Sequence, residues 1–277
     1  MISVWAAIAG AGVGLLGGLI GLGGAEFRLP LLVAMFHCAL RPAISLNLGI
    51  SFVAVLVGAA ARWWLGGQAP LWSAAPIAVA MMAGGMLGAA VGSGWLARVS
   101  GTRLHAAVRS LLVTIGVLLV AEALVSWTSP GLPLGELALY SIAFVAGLGI
   151  GAVSTLLGVA GGELIIPTLV LGFGLPIKEA GTMSLLISIP TMAVGLWRHR
   201  ASGAFQNVRD LERIVLPMAL GTLLGSTVGG WLVVHAPASA VKLLLGCVLI
   251  ASALRVFKVR THVGPQSTSP SVAPGLR

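Results

Sequence analysis

Long apolar runs, separated by short polar or glycine- and proline-rich stretches, divide the chain into segments of membrane-spanning length. A run of about 20 apolar residues is typical of a transmembrane helix. The pattern predicts eight such helices, at 3–22, 43–62, 74–97, 104–126, 137–159, 179–198, 212–234 and 239–258. Two shorter apolar segments, 27–38 and 164–174, follow the first and fifth helices. The chain is therefore predicted to be an all-α polytopic membrane protein.

The composition agrees with a membrane location. Of the 277 residues, 58% are hydrophobic and only 8% are charged, whereas soluble proteins carry about 25% charged residues. The formal net charge of +9 resides mainly in short loops, where membrane topology and lipid headgroups account for it. Nucleic-acid binding is not expected, because it requires a basic face that this chain lacks. The first apolar run lacks a basic leader and is expected to remain in the mature protein.

The chain contains an internal duplication at a shift of 137 positions, without a gap. Glu26 and Pro30 align with Glu163 and Pro167. The aligned glycines include Gly12 with Gly149, Gly14 with Gly151, Gly21 with Gly158, Gly24 with Gly161, Gly84 with Gly221, Gly88 with Gly225 and Gly92 with Gly229. Chance matches in a glycine-rich chain do not explain the charged and proline positions as well. The duplication predicts a first membrane repeat at 1–135, a second at 136–260 and a disordered cytoplasmic tail at 261–277.

The distribution of Lys and Arg predicts how the two repeats are oriented. If the short segments do not cross the membrane, nine basic residues lie on one side and six on the other. If each segment returns as the second arm of a helical hairpin, twelve basic residues lie on one side of the membrane and three on the other. The positive-inside rule favours this second, more uneven distribution. Each repeat then has five segments, an odd number, so the repeats are predicted to be inverted, with both termini cytoplasmic. Whether 27–38 and 164–174 cross the whole membrane or are re-entrant stays open, because 27–38 is only about 18 Å long as a helix.

Each repeat opens with a glycine break inside the apolar region, at Gly23-Gly24 and at Gly161-Gly162. A helix that restarts after such a break presents free backbone N–H groups and the positive end of its dipole, which together suit an anion. Close helix packing is the competing explanation, because small residues at four-residue spacing are common in membrane bundles. Packing is favoured for glycines within the spans. Substrate binding is favoured at the two breaks, since a glutamate follows each.

Charged residues follow both breaks: Glu26 and Arg28 after the first, and Glu163 after the second. Arg28 aligns with Ile165 and so has no counterpart. It either contacts a sulfonate, sulfite or carboxylate through two N–H groups, or it pairs internally with Glu26. Glu26 and Glu163 are candidates for proton coupling, because buried carboxylates hold protons readily. Capping of the free amides at their own break is the alternative role for both.

Polar side chains recur at matching positions on the helix that follows each hairpin. They are Ser45, Asn47 and Ser51 in the first repeat, and Thr182, Ser184 and Ser188 in the second. Their spacing places part of each set on one side of its helix, toward the bundle. Neutral hydrogen bonds to an oxyanion and hydrogen bonds between helices explain them equally well. The predicted substrate site comprises Gly23, Gly24, Arg28, Asn47, Ser51, Gly161, Gly162, Thr182, Ser184 and Ser188.

No catalytic, metal or cofactor site is predicted. The histidines are scattered without ligand spacing, at His37, His105, His199, His235 and His262. An intramembrane serine protease would need a Gly-x-Ser-Gly nucleophile and a histidine inside a span, and Ser154 has neither. An enzyme or other non-transport membrane protein is therefore the less favoured class.

The segments Gly14 to Pro30 and Gly158 to Pro167 resemble a known duplicated signature. The first contains the string Gly-Gly-Leu-Ile-Gly-Leu-Gly-Gly, and the second contains Gly-Val-Ala-Gly-Gly. The chain is similar in these segments, and in length and span number over about residues 1–260, to the TauE/SafE sulfite and sulfonate exporter family. The resemblance implies a secondary carrier that moves small sulfur oxyanions or organosulfonates across a bacterial inner membrane, usually outward.

The leading hypothesis is a transporter that exports small sulfur-containing anions, such as sulfite or sulfonates like sulfoacetate. It would work by alternating access, with its site between the two glycine breaks. The alternative is a cation- or proton-coupled carrier of another small solute, with Glu26 and Glu163 as ion ligands. The expected partners are the anionic substrate and membrane lipid, in a multi-pass protein of the bacterial inner membrane. A homodimer is left open, and neither nucleic acid nor a cofactor is expected.

Overall fold

In the computed structural model, every regular element of the described residues is helical. The structure describes residues 2–34, 40–66, 74–95, 101–125, 131–157, 159–201 and 212–255, so the predicted tail at 261–277 lies outside it. The helices are α1 (Ile2–Ile20), α2 (Ala25–Ala34), α3 (Leu40–Gly66), α4 (Ala75–Trp95), α5 (Gly101–Val125), α6 (Glu136–Leu157), α7 (Gly162–Pro167), α8 (Ile177–Ala201), α9 (Glu212–His235) and α10 (Ala238–Arg255). A π-helical turn, Thr168–Gly172, continues α7.

The predicted all-α membrane class is confirmed. Within the described residues, five helices are long and apolar enough to cross a membrane: Ser3–Ile20, Ala43–Trp64, Glu136–Thr155, Ile177–Arg200 and Ile214–His235. Shorter apolar helices lie at Ala75–Val91, Leu112–Leu124, Gly162–Gly172 and Ala238–Ala251. The number of full spans stays a prediction.

Both glycine breaks are present, displaced by a few residues from their predicted positions. Helix α1 ends at Ile20 rather than 22, because Gly21 adopts a φ of 100° that only glycine takes readily. Gly23 and Gly24 also have positive φ, 79° and 74°. At the second break the positive φ falls on Gly161, at 77°, whereas Gly162 already begins α7. The chain therefore reverses direction at each break through backbone conformations that side chains would strain.

Glycines within the spans form two seams in which helix backbones touch. A Cβ atom built at Gly14 of α1 would overlap the main chain of Thr222 in α9, and the same holds one turn earlier and later along the seam. At Gly88 in α4, a Cβ would overlap the main chain of Leu148 in α6. In each seam the two helices run parallel and come from different halves of the chain. Packing is thus the confirmed role of these span glycines.

Equivalent helices of the two halves pack against each other in opposite directions. The start of α3 lies at the end of α8, where Ser45 Oγ is 3.2 Å from His199 Nδ1. The end of α3 lies at the start of α8, where Arg62 Nη1 donates to Thr182 Oγ1 at 3.3 Å. Helices α5 and α10 also run antiparallel, with Gly116 against Ile250 and Glu122 against Lys242. The central helices therefore meet as antiparallel pairs, one member from each half.

The second hairpin returns toward the level at which α6 begins. The backbone N–H of Leu132, just before α6, donates to the carbonyl of Gly172 at 3.0 Å. Gly172 is the last residue of the π-helical turn that extends α7. The return arm from Gly162 to Gly172 thus ends beside the connection that leads into α6.

Gly14→Ala is expected to destabilise the seam between α1 and α9, because the added methyl group would overlap main-chain atoms of Thr222. Overpacking of this kind costs about 1–3 kcal/mol. The measurement is the apparent melting temperature of the detergent-solubilised protein. Gly12→Ala is the matched control, since no atom lies within 4 Å of its added Cβ. Equal melting temperatures for the two variants would contradict the seam.

The ion pair between Lys242 and Glu122 is expected to hold α10 against α5. Its Nζ–Oε1 distance is 2.7 Å, and the side chains are 13% and 5% exposed. Loss of one partner leaves the other charge buried and unpaired, which costs about 3–5 kcal/mol. Glu122→Gln and Lys242→Met should therefore each lower the melting temperature, and the double variant should recover most of the loss. Strictly additive losses would show that the two residues are not coupled.

Candidate functional site at the two helix breaks

The two glycine breaks lie in contact with each other. A Cβ atom built at Gly162 would lie 3.0 Å from Leu22 Cα, and one built at Gly23 would lie 3.4 Å from Ala160 Cβ. Gly21 packs equally closely on the backbone of Gly181 in α8. The structure therefore brings the predicted glycines of both halves into one place, lined by main-chain atoms.

Arg28 is fully buried beside the first break. Its Nη1 donates to Ser51 Oγ at 2.6 Å, and its Nη2 donates to the carbonyl of Gly23 and to Thr222 Oγ1, both at 3.4 Å. Its Nε has no hydrogen-bond partner. These bonds join α2 to α3 and α9, and every partner in them is electrically neutral.

The internal pair between Arg28 and Glu26 does not form as a direct contact in the described part of the chain. Both carboxylate oxygens of Glu26 are buried without a hydrogen-bond partner, although the two charges attract each other through space. Capping of its own break by Glu26 stays a prediction. Glu163, its counterpart, lies buried in the first turn of α7 and is 7% exposed.

Four of the predicted polar positions lie at the breaks. Asn47 Nδ2 donates to the carbonyl of Ala25 at 3.0 Å, and Ser188 Oγ donates to the carbonyl of Ala160 at 2.9 Å. Ser51 accepts from Arg28. Ser184 Oγ is buried without a hydrogen-bond partner, and a Cβ atom built at Gly162 would lie 3.1 Å from it. Asn47 and Ser188 thus donate to backbone carbonyls next to the breaks, whereas Ser184 retains an unused hydroxyl.

Thr182 makes its hydrogen bonds away from the two breaks. Its Oγ1 donates to the carbonyl of Lys178 at 3.1 Å and accepts from Arg62. It therefore lies near the start of α8, in contact with the end of α3.

The position equivalent to the Arg28 guanidinium in the second half is a narrow void. Ile165 lines it together with Ala160, Gly85 and Thr191, and it is too tight for a water molecule. Gly85 and Ala160 are the duplicated counterparts of Thr222 and Gly23, the two residues that Arg28 Nη2 contacts. In the second half Ser188 instead bonds directly to the broken backbone. The two breaks are therefore similar in backbone and different in charge.

Arg62, His199 and Thr222 are site neighbours that the sequence patterns did not single out. Arg62, the last residue of the predicted span 43–62, is a buried cation. It lies within α3, is 4% exposed, and donates to carbonyls at the end of α1. The duplication aligns Arg62 with His199, 137 residues later, and this alignment is the sequence signal that could have identified the two residues as a pair.

One of three comparisons with known proteins identifies a family. The family described as "Sulfite exporter TauE/SafE" matches residues 1–119 and 143–276. No curated protein and no solved structure matches the chain significantly. Because the match spans both halves and nearly the whole length, the chain belongs to the TauE/SafE sulfite exporter family of membrane transporters.

Proposed function

We propose that the protein is a secondary transporter that exports small sulfur-containing anions, such as sulfite and sulfonates, across the bacterial inner membrane. The anion binds where the two glycine breaks meet, nearer to Arg28 than to the second break. The two halves act as inverted repeats that expose this site alternately to the two sides of the membrane, and both termini are cytoplasmic. Family membership supports the substrate class, and the site geometry supports the binding place.

The observation that carries the proposal is the burial of Arg28 among neutral partners. A guanidinium removed from water needs compensation from a negative group. Glu26 makes no direct contact with it, and Ser51, Gly23 and Thr222 supply only dipoles. A bound anion would supply the missing charge and would accept from the unpartnered Nε. Arginine suits an oxyanion because its N–H groups bind two oxygens side by side.

Neutral donors surround the same place and fit the remaining oxygens of a sulfite or sulfonate. Ser184 offers a hydroxyl without a partner, and the hydroxyl of Ser51, which accepts from Arg28, can donate to a ligand. The contact between Gly162 and Leu22 leaves main-chain atoms of both halves within reach. A small anion at this junction would touch both halves at once, as alternating access requires.

The packing directions of equivalent helices support the inverted arrangement. Helices α3 and α8 run antiparallel, and so do α5 and α10. Two repeats related by an axis in the membrane plane place equivalent helices in opposite directions. The return of the second hairpin toward the start of α6 supports five segments in each repeat.

A cation carrier is the second candidate, and Glu26 is the observation that favours it. Its two buried oxygens have no hydrogen-bond partner, and such a carboxylate suits either a proton or a small cation. We favour the proton, because Arg28 lies two residues away and repels any other cation. Glu26 and Glu163 are then the residues that couple anion export to a proton gradient.

Arg28→Ala is expected to weaken sulfite binding by about 30-fold or more, because loss of one partner from a buried charge contact costs about 2–5 kcal/mol. Arg28→Lys should retain part of the binding, since it keeps the charge without the fork of N–H groups. The measurement is sulfite-dependent thermal stabilisation together with efflux from proteoliposomes. The matched control is Ile165→Ala, the duplicated position of Arg28.

Wild-type affinity and efflux in folded Arg28→Ala would remove Arg28 from the site. Competition separates the two candidate functions. Inhibition of efflux by sulfoacetate, but not by monovalent cations, supports the anion carrier, whereas the reverse result supports the cation carrier.

Glu26→Gln is expected to uncouple anion movement from the proton gradient, because glutamine cannot bind or release a proton. Sulfite exchange between the two sides should persist, while sulfite-dependent proton flux should fall to background. Glu163→Gln tests the second candidate, and Glu136→Gln is an exposed control at the start of α6. Unchanged proton flux in the Glu26→Gln/Glu163→Gln double variant would exclude both residues as the coupling groups.

A further inference from the structure

Arg62 and His199 occupy equivalent positions near the ends of α3 and α8. They are separated by 137 residues, the shift that relates the two halves. Both lie beside the carbonyl end of the helix that breaks in their own half. This end is distinct from the Arg28 side of the break, where α2 begins.

Arg62 links the end of α1 to the start of α8 through hydrogen bonds. Its Nη2 donates to the carbonyls of Gly18 and Leu19, both at 2.9 Å, and its Nε donates to Gly18 at 3.2 Å. Its Nη1 donates to the carbonyl of Lys178 at 3.4 Å and to Thr182 Oγ1 at 3.3 Å. Because α1 ends at Ile20, the carbonyls of Gly18 and Leu19 are among those with no partner inside the helix. The guanidinium therefore supplies donors that water cannot supply inside a membrane.

His199 makes the matching set of contacts with the halves exchanged. Its Nε2 lies 3.4 Å from the carbonyl of Thr155, near the end of α6, and its Nδ1 lies 3.2 Å from Ser45 Oγ in α3. The duplication aligns Gly18 with Thr155 and Ser45 with Thr182. Each residue thus contacts a broken-helix carbonyl of its own half and a hydroxyl of the other half. Two independent sets of contacts have kept the same arrangement although the side chains differ.

We propose that Arg62 and His199 are a pair of positioning residues for transport. Arg62 holds the carbonyl end of α1 against α8, and His199 holds the carbonyl end of α6 against α3. Rearrangement of these contacts accompanies the change of access. Arginine is always charged and offers five N–H groups, whereas imidazole has two ring nitrogens. The first break is therefore the more firmly held, and the second is the one that moves more readily. This inference rests on the proposed transport function.

The test compares variants that remove the contact with variants that keep a donor. Arg62→Met and His199→Leu should each slow sulfite efflux per folded molecule by on the order of tenfold, because conformational steps depend on such contacts. The sulfite concentration for half-maximal thermal stabilisation should change by less than about threefold, since neither side chain touches the anion. Arg62→Lys and His199→Gln should restore most of the rate. Arg200→Gln, an exposed cation next to His199, should leave it unchanged.

A pH profile gives a readout that a purely structural role would not change. Arg62→His in the His199→Gln background should transport well at low pH and lose activity as the pH rises through about 6.5, because only the protonated imidazole has two donors. On the described helices packed against Arg62, the titratable groups at the ends that face it are Lys178 and Glu179 at the start of α8 and His235 at the end of α9. The pH profile of the His199→Gln single variant measures the contribution of these groups.

Each failure has a separate signature. Wild-type efflux per folded molecule in Arg62→Met, even with a lowered melting temperature, would show a structural role only and overturn the inference. So would equal rates for Arg62→Lys and Arg62→Met, or identical pH profiles for the double variant and its background. If the wild-type protein neither binds nor moves sulfite, the proposed function falls, and the transport role of the pair falls with it.

Discussion

A helix that stops inside a bilayer must satisfy its last carbonyls and the next amides within the protein. Helices α1 and α6 both end at a glycine break, and several buried polar side chains contact backbone carbonyls near these ends. Arg62 and His199 lie at the carbonyl ends of α1 and α6. Asn47 and Ser188 donate to the main chain within the breaks. The glycines permit the backbone turns and bring the two breaks into contact. The candidate site is therefore a consequence of interrupted helices.

Charge distinguishes the two halves of this otherwise duplicated arrangement. At the second break Ser188 reaches the carbonyl of Ala160 directly. At the first, the guanidinium of Arg28 is inserted between Ser51 and the equivalent carbonyl of Gly23. The second half has only a narrow void at the corresponding place. Where the guanidinium of Arg28 lies, the duplicated arrangement thus has a buried cation in the first half and none at the matching position, Ile165, in the second. The Coulomb interaction of Arg28 with any nearby charge is strong, because little water surrounds it.

The helical class and both breaks could largely be anticipated from sequence, whereas the contacts of Arg28 with Ser51 and Thr222 could not. Apolar runs locate spans because lipid demands them, and the duplication aligned Ser51 with Ser188 at the breaks. Arg62 was not singled out, because an arginine followed by Trp63 and Trp64 at the end of an apolar run is typical of the membrane interface. Nothing local shows that it reaches a helix more than 40 residues earlier. The ion pair of Glu122 with Lys242 was missed for the same reason, since its partners are 120 residues apart.

The two glycine seams have a consequence for biosynthesis. Each seam joins helices from different halves, α1 with α9 and α4 with α6. The seam face of α1 is complete only after α9 has been made, roughly 200 residues later, which takes roughly ten seconds or more at about 5–20 residues per second. During that interval the exposed glycine backbone of α1 has lipid or the insertion machinery as its neighbour. Neither half can therefore complete its packing alone, and the seam of α1 must await insertion of α9.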